Sequence, residues 1–135
     1  MRRWEAMPDL KHAELIEGIV HMASPLSLQH DETHYDLTVV TGFYITNTKG
    51  CGGGLEGTWL MGQHDVPQPD LTVRILPNYG GQWRVEGEYA AGAPEMVIEV
   101  AISSRSRDFG SKLRLFERMG VREYLIALPR KRQIH

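Results

Sequence analysis

Apolar and polar positions follow three rhythms along this chain, and each rhythm predicts its own kind of element. Glu14-Leu15-Ile16 and Ile19-Val20-His21-Met22-Ala23 are short apolar-rich runs separated by Glu17-Gly18. Such a dipeptide between two runs predicts a β-hairpin. Ser24-Pro25 ends it, since a residue preceding proline is pushed out of helical geometry. Leu28, Tyr35, Val39 and Phe43 then recur at intervals of 7, 4 and 4, which makes one helical face within 27–48, with Ser27 as N-cap. Gly50-Cys51-Gly52-Gly53-Gly54 reads as a flexible connector, followed by a strand around 55–61. Asp70-Leu71-Thr72-Val73-Arg74-Ile75 alternates with period two, a strand. Residues 77–94, with Gly80, Gly81, Gly87, Gly92 and Pro94, predict a surface excursion. Glu95-Met96-Val97-Ile98-Glu99-Val100-Ala101 is nearly continuous in apolar residues, as expected of a central strand buried on both faces. A helix over 107–119 follows, with Phe109, Leu113, Phe116 and Met119 on one face and Gly120 at its stop. Glu123–Leu128 is the last strand, closed by Pro129. A strand–helix–strand ending implies a parallel, right-handed crossover at the sheet centre. The fold class is α/β.

Composition narrows the function classes. At 135 residues and 41% hydrophobic content the chain is expected to form one domain, residues 1–135, and disorder is excluded as a general description. The lone Cys51 excludes a disulfide framework and a thiolate-rich metal site. No apolar run suits a membrane span or a secretory signal, so the expectation is a cytoplasmic protein without a membrane partner. The net charge of −2 hides a split: 6 basic and 14 acidic residues within 1–100, against 9 basic and 3 acidic within 101–135. Such a split suits either a polyanion-binding surface or a basic helix packed beside an acidic sheet.

Three constellations carry possible chemistry. His30 and His34 lie four apart, on one helical face, a spacing that can chelate zinc. The metalloprotease motif, however, wants glutamate after the first histidine, where Asp31 stands, and no third ligand stands out. The bland alternative is a solvated first turn whose acids favour the helix dipole. Cys51 beside its glycines lacks a base to activate it. The third constellation is the informative one. Asp70 opens a strand, Glu99 sits late in the next buried strand, and Lys112 lies on the helix after it. A charged Glu99 inside an apolar run is costly unless paired or bound to a cation. Carboxylates from adjacent strands can converge on one hard cation, and a nearby lysine can steady phosphoryl charge. Equally, Glu99 could simply pair with Lys112 or Arg107.

Glu14-Leu15-Ile16-Glu17-Gly18, Met22-Ala23-Ser24-Pro25, His30 and Pro69-Asp70-Leu71 form one ordered series. Ala93-Pro94-Glu95-Met96-Val97-Ile98-Glu99-Val100, Asp108-Phe109-Gly110-Ser111-Lys112 and Gly120-Val121-Arg122-Glu123-Tyr124 continue it. Over about residues 12–128 this order resembles the Uma-type family of restriction-endonuclease-like proteins, within the PD-(D/E)XK nuclease superfamily. The resemblance implies a restriction-endonuclease-like core: a mixed central sheet with an N-terminal hairpin and flanking helices. It also implies Mg²⁺ or Mn²⁺ at a carboxylate cluster and hydrolysis of DNA phosphodiester bonds, or else an idle module that binds nucleic acid or a partner protein. Asp70 and Glu99 would hold the metal together with the Val100 carbonyl, Glu14 would be the N-terminal acid with Glu17 close by, and Lys112 would stand in for the motif lysine, whose usual position is Ala101. The basic residues Arg105, Arg107 and Arg114, with Arg118 and Arg122, are the expected phosphate contacts. The resemblance also implies a further hairpin after the Tyr124 strand, so the expectation is a domain short of its last hairpin, whose uncovered sheet edge would invite a homodimer.

Overall fold

The computed structural model describes residues 13–23, 25–102, 109–129 and 133–135. Strands β1 (Ala13–Ile16) and β2 (Ile19–Met22) form the expected antiparallel hairpin, Ala13 opposite Met22 and Ile16 opposite Ile19. Glu17 and Gly18 take φ of 51° and 78°, the left-handed pair that a two-residue turn matched to strand twist requires.

Helix α1 (Leu28–Thr46) starts where expected, and the Ser27 hydroxyl accepts from the His30 N–H at 3.2 Å. Its orientation overturns the usual relation of an apolar stripe to a core. Leu28, Tyr35, Val39 and Phe43 face outward and are exposed, while His30 is buried and His34, Leu37, Thr41 and Ile45 are half-buried on the inner side. The inner face can be polar where His34, Thr38 and Thr41 find partners. The His34 ring meets the Asp70 carbonyl at 2.9 Å, and the Thr38 and Thr41 hydroxyls donate to the His34 and Leu37 carbonyls one turn back.

The glycine run is a strand rather than a connector. β3 (Cys51–Leu55) pairs antiparallel with β5 (Leu71–Ile75) along its whole length, Gly53 opposite Val73. Glycine is needed there because α1 lies directly above: a Cβ on Gly53 would sit 2.6 Å from Ile45 Cδ1. The strand expected around 55–61 is interrupted at Glu56, where φ is 52°, and only Trp59–Leu60 (β4) is extended beyond it. Residues 77–94 are likewise more than an excursion. After a 3-10 turn at Pro77–Tyr79 they form β6 (Arg84–Glu86) and β7 (Tyr89–Ala91), which join β4 in a three-stranded sheet of order β4-β7-β6.

β8 (Met96–Val100), helix α2 (Ser111–Met119) and β9 (Glu123–Leu128) follow, but β9 is not the last strand: β10 (Gln133–Ile134) pairs antiparallel with it and covers the edge that was expected to be open. The main sheet runs β10-β9-β8-β5-β3; β8 and β9 are parallel, as the crossover requires, and the other pairs are antiparallel. Ile16, Trp59, Met61, Val97, Leu115 and Phe116 form the main core between sheet and α2. Of the expected face of α2, Phe116 is buried and Phe109 and Met119 pack on the core, but Leu113 does not. Lys112, Leu115 and Phe116 are buried, whereas Leu113 is 42% exposed. Positions 107 and 108 of the expected helix lie outside the described residues.

Candidate active site

Asp70 immediately precedes β5. Leu71 pairs with Ile98, so the register continued by one residue sets Asp70 opposite Glu99. Backbone groups fix both acids. The Val100 N–H donates to Asp70 Oδ2 at 2.8 Å, and the Asp70 N–H reaches Glu99 Oε2 at 3.4 Å. Two carboxylates thus meet at the end of the β5–β8 ladder.

Two further elements aim side chains at this end. Glu14 is held by the segment beside it: β1 bridges to Val66 through Leu15, and the Gln68 N–H donates to Glu14 Oε1 at 2.8 Å. Lys112 comes from the first turn of α2. Its Nζ lies 2.6 Å from Glu99 Oε1 and 2.9 Å from Glu14 Oε1. All three are buried, Lys112 at 2% exposure, Glu99 at 4% and Glu14 at 8%. Ion pairs at such depth hold only if the geometry is close, as it is here.

From the opposite side α1 contributes His30, whose Nε2 stands 3.6 Å from Asp70 Oδ2, an ion-pair distance rather than a hydrogen bond. The Nδ1 of His30 is buried without a hydrogen-bond partner. The facing Asp70 carboxylate raises the His30 pKa above 6.5 against the opposing effect of burial. Burial would raise the Asp70 pKa, but His30, the Val100 N–H and Glu99 together outweigh it and hold the carboxyl down at about 2. Asp70 is therefore an anion across the whole neutral range.

The structure brings together Asp70, Glu99, Lys112, Glu14 and the backbone of Val100. Arg114 is elsewhere, in a two-pronged pair with Glu17 at 3.1 and 3.2 Å on the surface. Arg105 and Arg107 lie outside the described residues. His30 and His34 share a face, with ring centroids 6.0 Å apart, but both turn inward to Asp70 and neither belongs to a solvated first turn. Among the described residues, no three His, Cys, Asp or Glu side chains are grouped to enclose a metal ion. Sequence reasoning missed the part played by His30. Its spacing to His34 was visible, but the burial of that helical face was not. It also gave no role to two buried acids that serve the scaffold. Asp65 accepts from the Glu17 N–H and pairs with Arg118, and Glu95 accepts from the N–H groups of Ile75 and Gln82.

A family model described as Uma2, "Putative restriction endonuclease", matches residues 1–135. A solved structure titled as a putative nuclease belonging to DUF820, from Anabaena variabilis, is similar in fold, with a TM-score of 0.68 at 20% identity over 85% of this chain. This chain spans 65% of the length of that one. No curated protein matches.

Proposed function

The chain belongs to the Uma2 family and has a restriction-endonuclease-like fold, and from that premise we propose that it is a metal-dependent nuclease that hydrolyses DNA phosphodiester bonds. The observation that carries the reading is the convergence of four chain segments on one point, with the Lys112 ammonium between Glu14 and Glu99 and Asp70 opposite Glu99.

The donor set suits a hard divalent cation such as Mg²⁺ or Mn²⁺. Asp70 is held ionised, Glu99 faces it from the next strand, and two carboxylates, Glu14 and Glu99, share one ammonium. Asp70, Glu99 and the Val100 carbonyl would hold the ion, which when bound polarises the scissile phosphate and acidifies the attacking water. The chain's own groups do the rest. Lys112 holds a positive charge among buried groups, where it would stabilise negative charge growing on a phosphate more than water would. Glu14, anchored by the Gln68 N–H, sets the position of that ammonium and can accept a proton from water. His30 keeps Asp70 oriented and charged from the other side.

The experiment is cleavage of supercoiled and single-stranded DNA with and without Mg²⁺ or Mn²⁺, using the parent and Asp70→Asn. Metal-dependent nicking by the parent and none by the variant is the expected result. A folded parent that binds Mn²⁺ yet leaves both DNAs intact overturns the catalytic reading and points to an idle nucleic-acid-binding module.

A further inference from the structure

Arg84, Arg114 and Arg118 each pair with a carboxylate, but among the described residues none pairs with Arg74. Arg74 leaves β5 on the face that carries Thr72 and Asp70, since alternate residues of a strand share a face. Its guanidinium lies over Trp83 and Trp59, 4.9 and 5.8 Å from the ring centroids. Nη2 donates to the Gly53 carbonyl, and Nε is buried without a partner. Nη1, open to solvent, makes no hydrogen bond among the described residues. Glu95 acts on this charge through space, but its two oxygens already accept from the Ile75 and Gln82 N–H groups. A glycine makes room for the guanidinium: a Cβ on Gly54, opposite Thr72, would sit 2.8 Å from Arg74 Nη2. With Gly54, Thr58, Thr72 and Glu88, Arg74 lines an open groove of about 370 Å³.

We propose that this groove holds a backbone phosphate of the DNA strand, bound by Arg74, a subsite that rests on the nuclease reading above. A guanidinium held on aromatic rings and short of a counter-ion favours an anion, and phosphate oxygens match its donors well. Burial draws the Arg74 pKa down, and a bound anion offsets that loss of hydration. Thr58 Oγ1 accepts from Gln68 Nε2 at 3.0 Å and keeps its own proton to donate to a ligand. Two features make a DNA strand the source of the phosphate. Asp70 and Arg74 are four residues apart along one extended segment, about 13 Å, so phosphates at both places belong to one short run of nucleotides. Gln68 also ties the two places together, since its N–H donates to Glu14 Oε1 at 2.8 Å while its side chain holds Thr58. A cluster of acids needs cations nearby to keep a polyanion in place, and Arg114 and Arg118 are already occupied by acids. Glu88 is exposed in the turn between β6 and β7 and opposes the anion, which gives the test a second sign.

Fluorescence anisotropy with a short labelled DNA single strand, in the absence of divalent metal and over a series of salt concentrations, tests the proposal on binding alone. Arg74→Gln weakens binding about threefold to tenfold at low salt and lowers the salt slope by about 0.7, one phosphate contact's worth. Gly54→Ala has the same effect with the arginine still present, because its methyl displaces the guanidinium. Glu88→Gln, an exposed change that leaves the fold intact, tightens binding about twofold. Circular dichroism and melting temperature report folding, and if Arg74→Gln is unstable the other two variants decide. Affinity and slope unmoved by Arg74→Gln and Gly54→Ala overturn the subsite. Weaker binding by Glu88→Gln also overturns it, since a carboxylate that helps would be reading a base. Calorimetry with inorganic phosphate alone should show no tight site; a tight site lost in Arg74→Gln would make the ligand a free anion and overturn the assignment. The nuclease reading fails separately: Arg74-dependent binding by a parent that never cuts leaves the subsite standing, and a parent that binds no DNA overturns both.

Discussion

Lys112 presents a buried ammonium to two carboxylates, and the effect of removing it follows from what it faces. Methionine fills much of the same volume but leaves Glu14 and Glu99 turned toward each other without their cation. Lys112→Met should therefore lose about 3–5 kcal/mol in urea unfolding, the usual effect of breaking a buried pair from one side. Adding Glu99→Gln should return most of that stability while cleavage stays abolished. A single variant as stable as the parent would show that the ammonium is not held as described. Asp70 gives a prediction in pH. Its carboxyl sits at about 2 in the fold against 3.8 when unperturbed, so the anion contributes stability above pH 3.8 and loses it as pH falls toward 2. The difference in unfolding free energy between the parent and Asp70→Asn should be about 2 kcal/mol near neutrality and shrink across that acid window. A difference that stays constant through the window would contradict the assignment. His30 has the opposite sign: its raised pKa contributes stability below pH 6.5, and that contribution is lost as pH climbs through the folded value. At this scale Asp70, Glu99 and Lys112 could be read in the sequence because charges in or beside apolar runs are costly without partners. Arg114 could not, since nothing local shows that Glu17, 97 residues away, would occupy its guanidinium.

Elements defined by their own local pattern were legible, and those defined by a neighbour were not. The 13–22 hairpin, the apolar β8 strand and the α1 N-cap all carry their signals within a few residues. Strand β3 does not: glycine has little preference for strands, and its pairing with Leu71–Ile75 and the helix above it come from elsewhere in the chain. Gly53→Ala tests that account. The new methyl would meet Ile45 Cδ1, so the variant should lose about 1–3 kcal/mol. Ile45→Val removes that carbon and should relieve part of the loss in the double variant; equal losses in both backgrounds would place the strain elsewhere. Helix α2 separates two expectations of the periodicity. Phe116 is fully buried, and Phe116→Ala should cost about 3–5 kcal/mol. Leu113 is 42% exposed, and Leu113→Ala should cost under about 1 kcal/mol. Lys112 and Leu115 occupy the inner face where apolar spacing put Leu113, because the Lys112 charge is drawn in to Glu14 and Glu99, while Phe116 and Met119 fall where the spacing put them.

At the scale of the molecule, family and fold were legible because the motifs fall in a fixed order along most of the chain, and their order survives where single spacings mislead. The charge split was informative in a narrower sense. Where the described residues show it, basic α2 settles against acids of the first half: Lys112 on Glu14, Arg114 on Glu17 and Arg118 on Asp65. That is the packing alternative, with DNA contact left to the proposed activity. The same three pairs have a consequence for biosynthesis. A ribosome releases Glu14, Glu17 and Asp65 first, then Asp70 and Glu99, and Lys112 after all of them. Domains fold once enough chain has emerged, and distant contacts close late because their loops are long. An unfinished chain therefore carries the acids without the ammonium and without α2 to bury them. On the proposed activity, cleaving capacity arrives only once Lys112 and its helix have emerged, so a product stalled before α2 would be born harmless to the DNA around it.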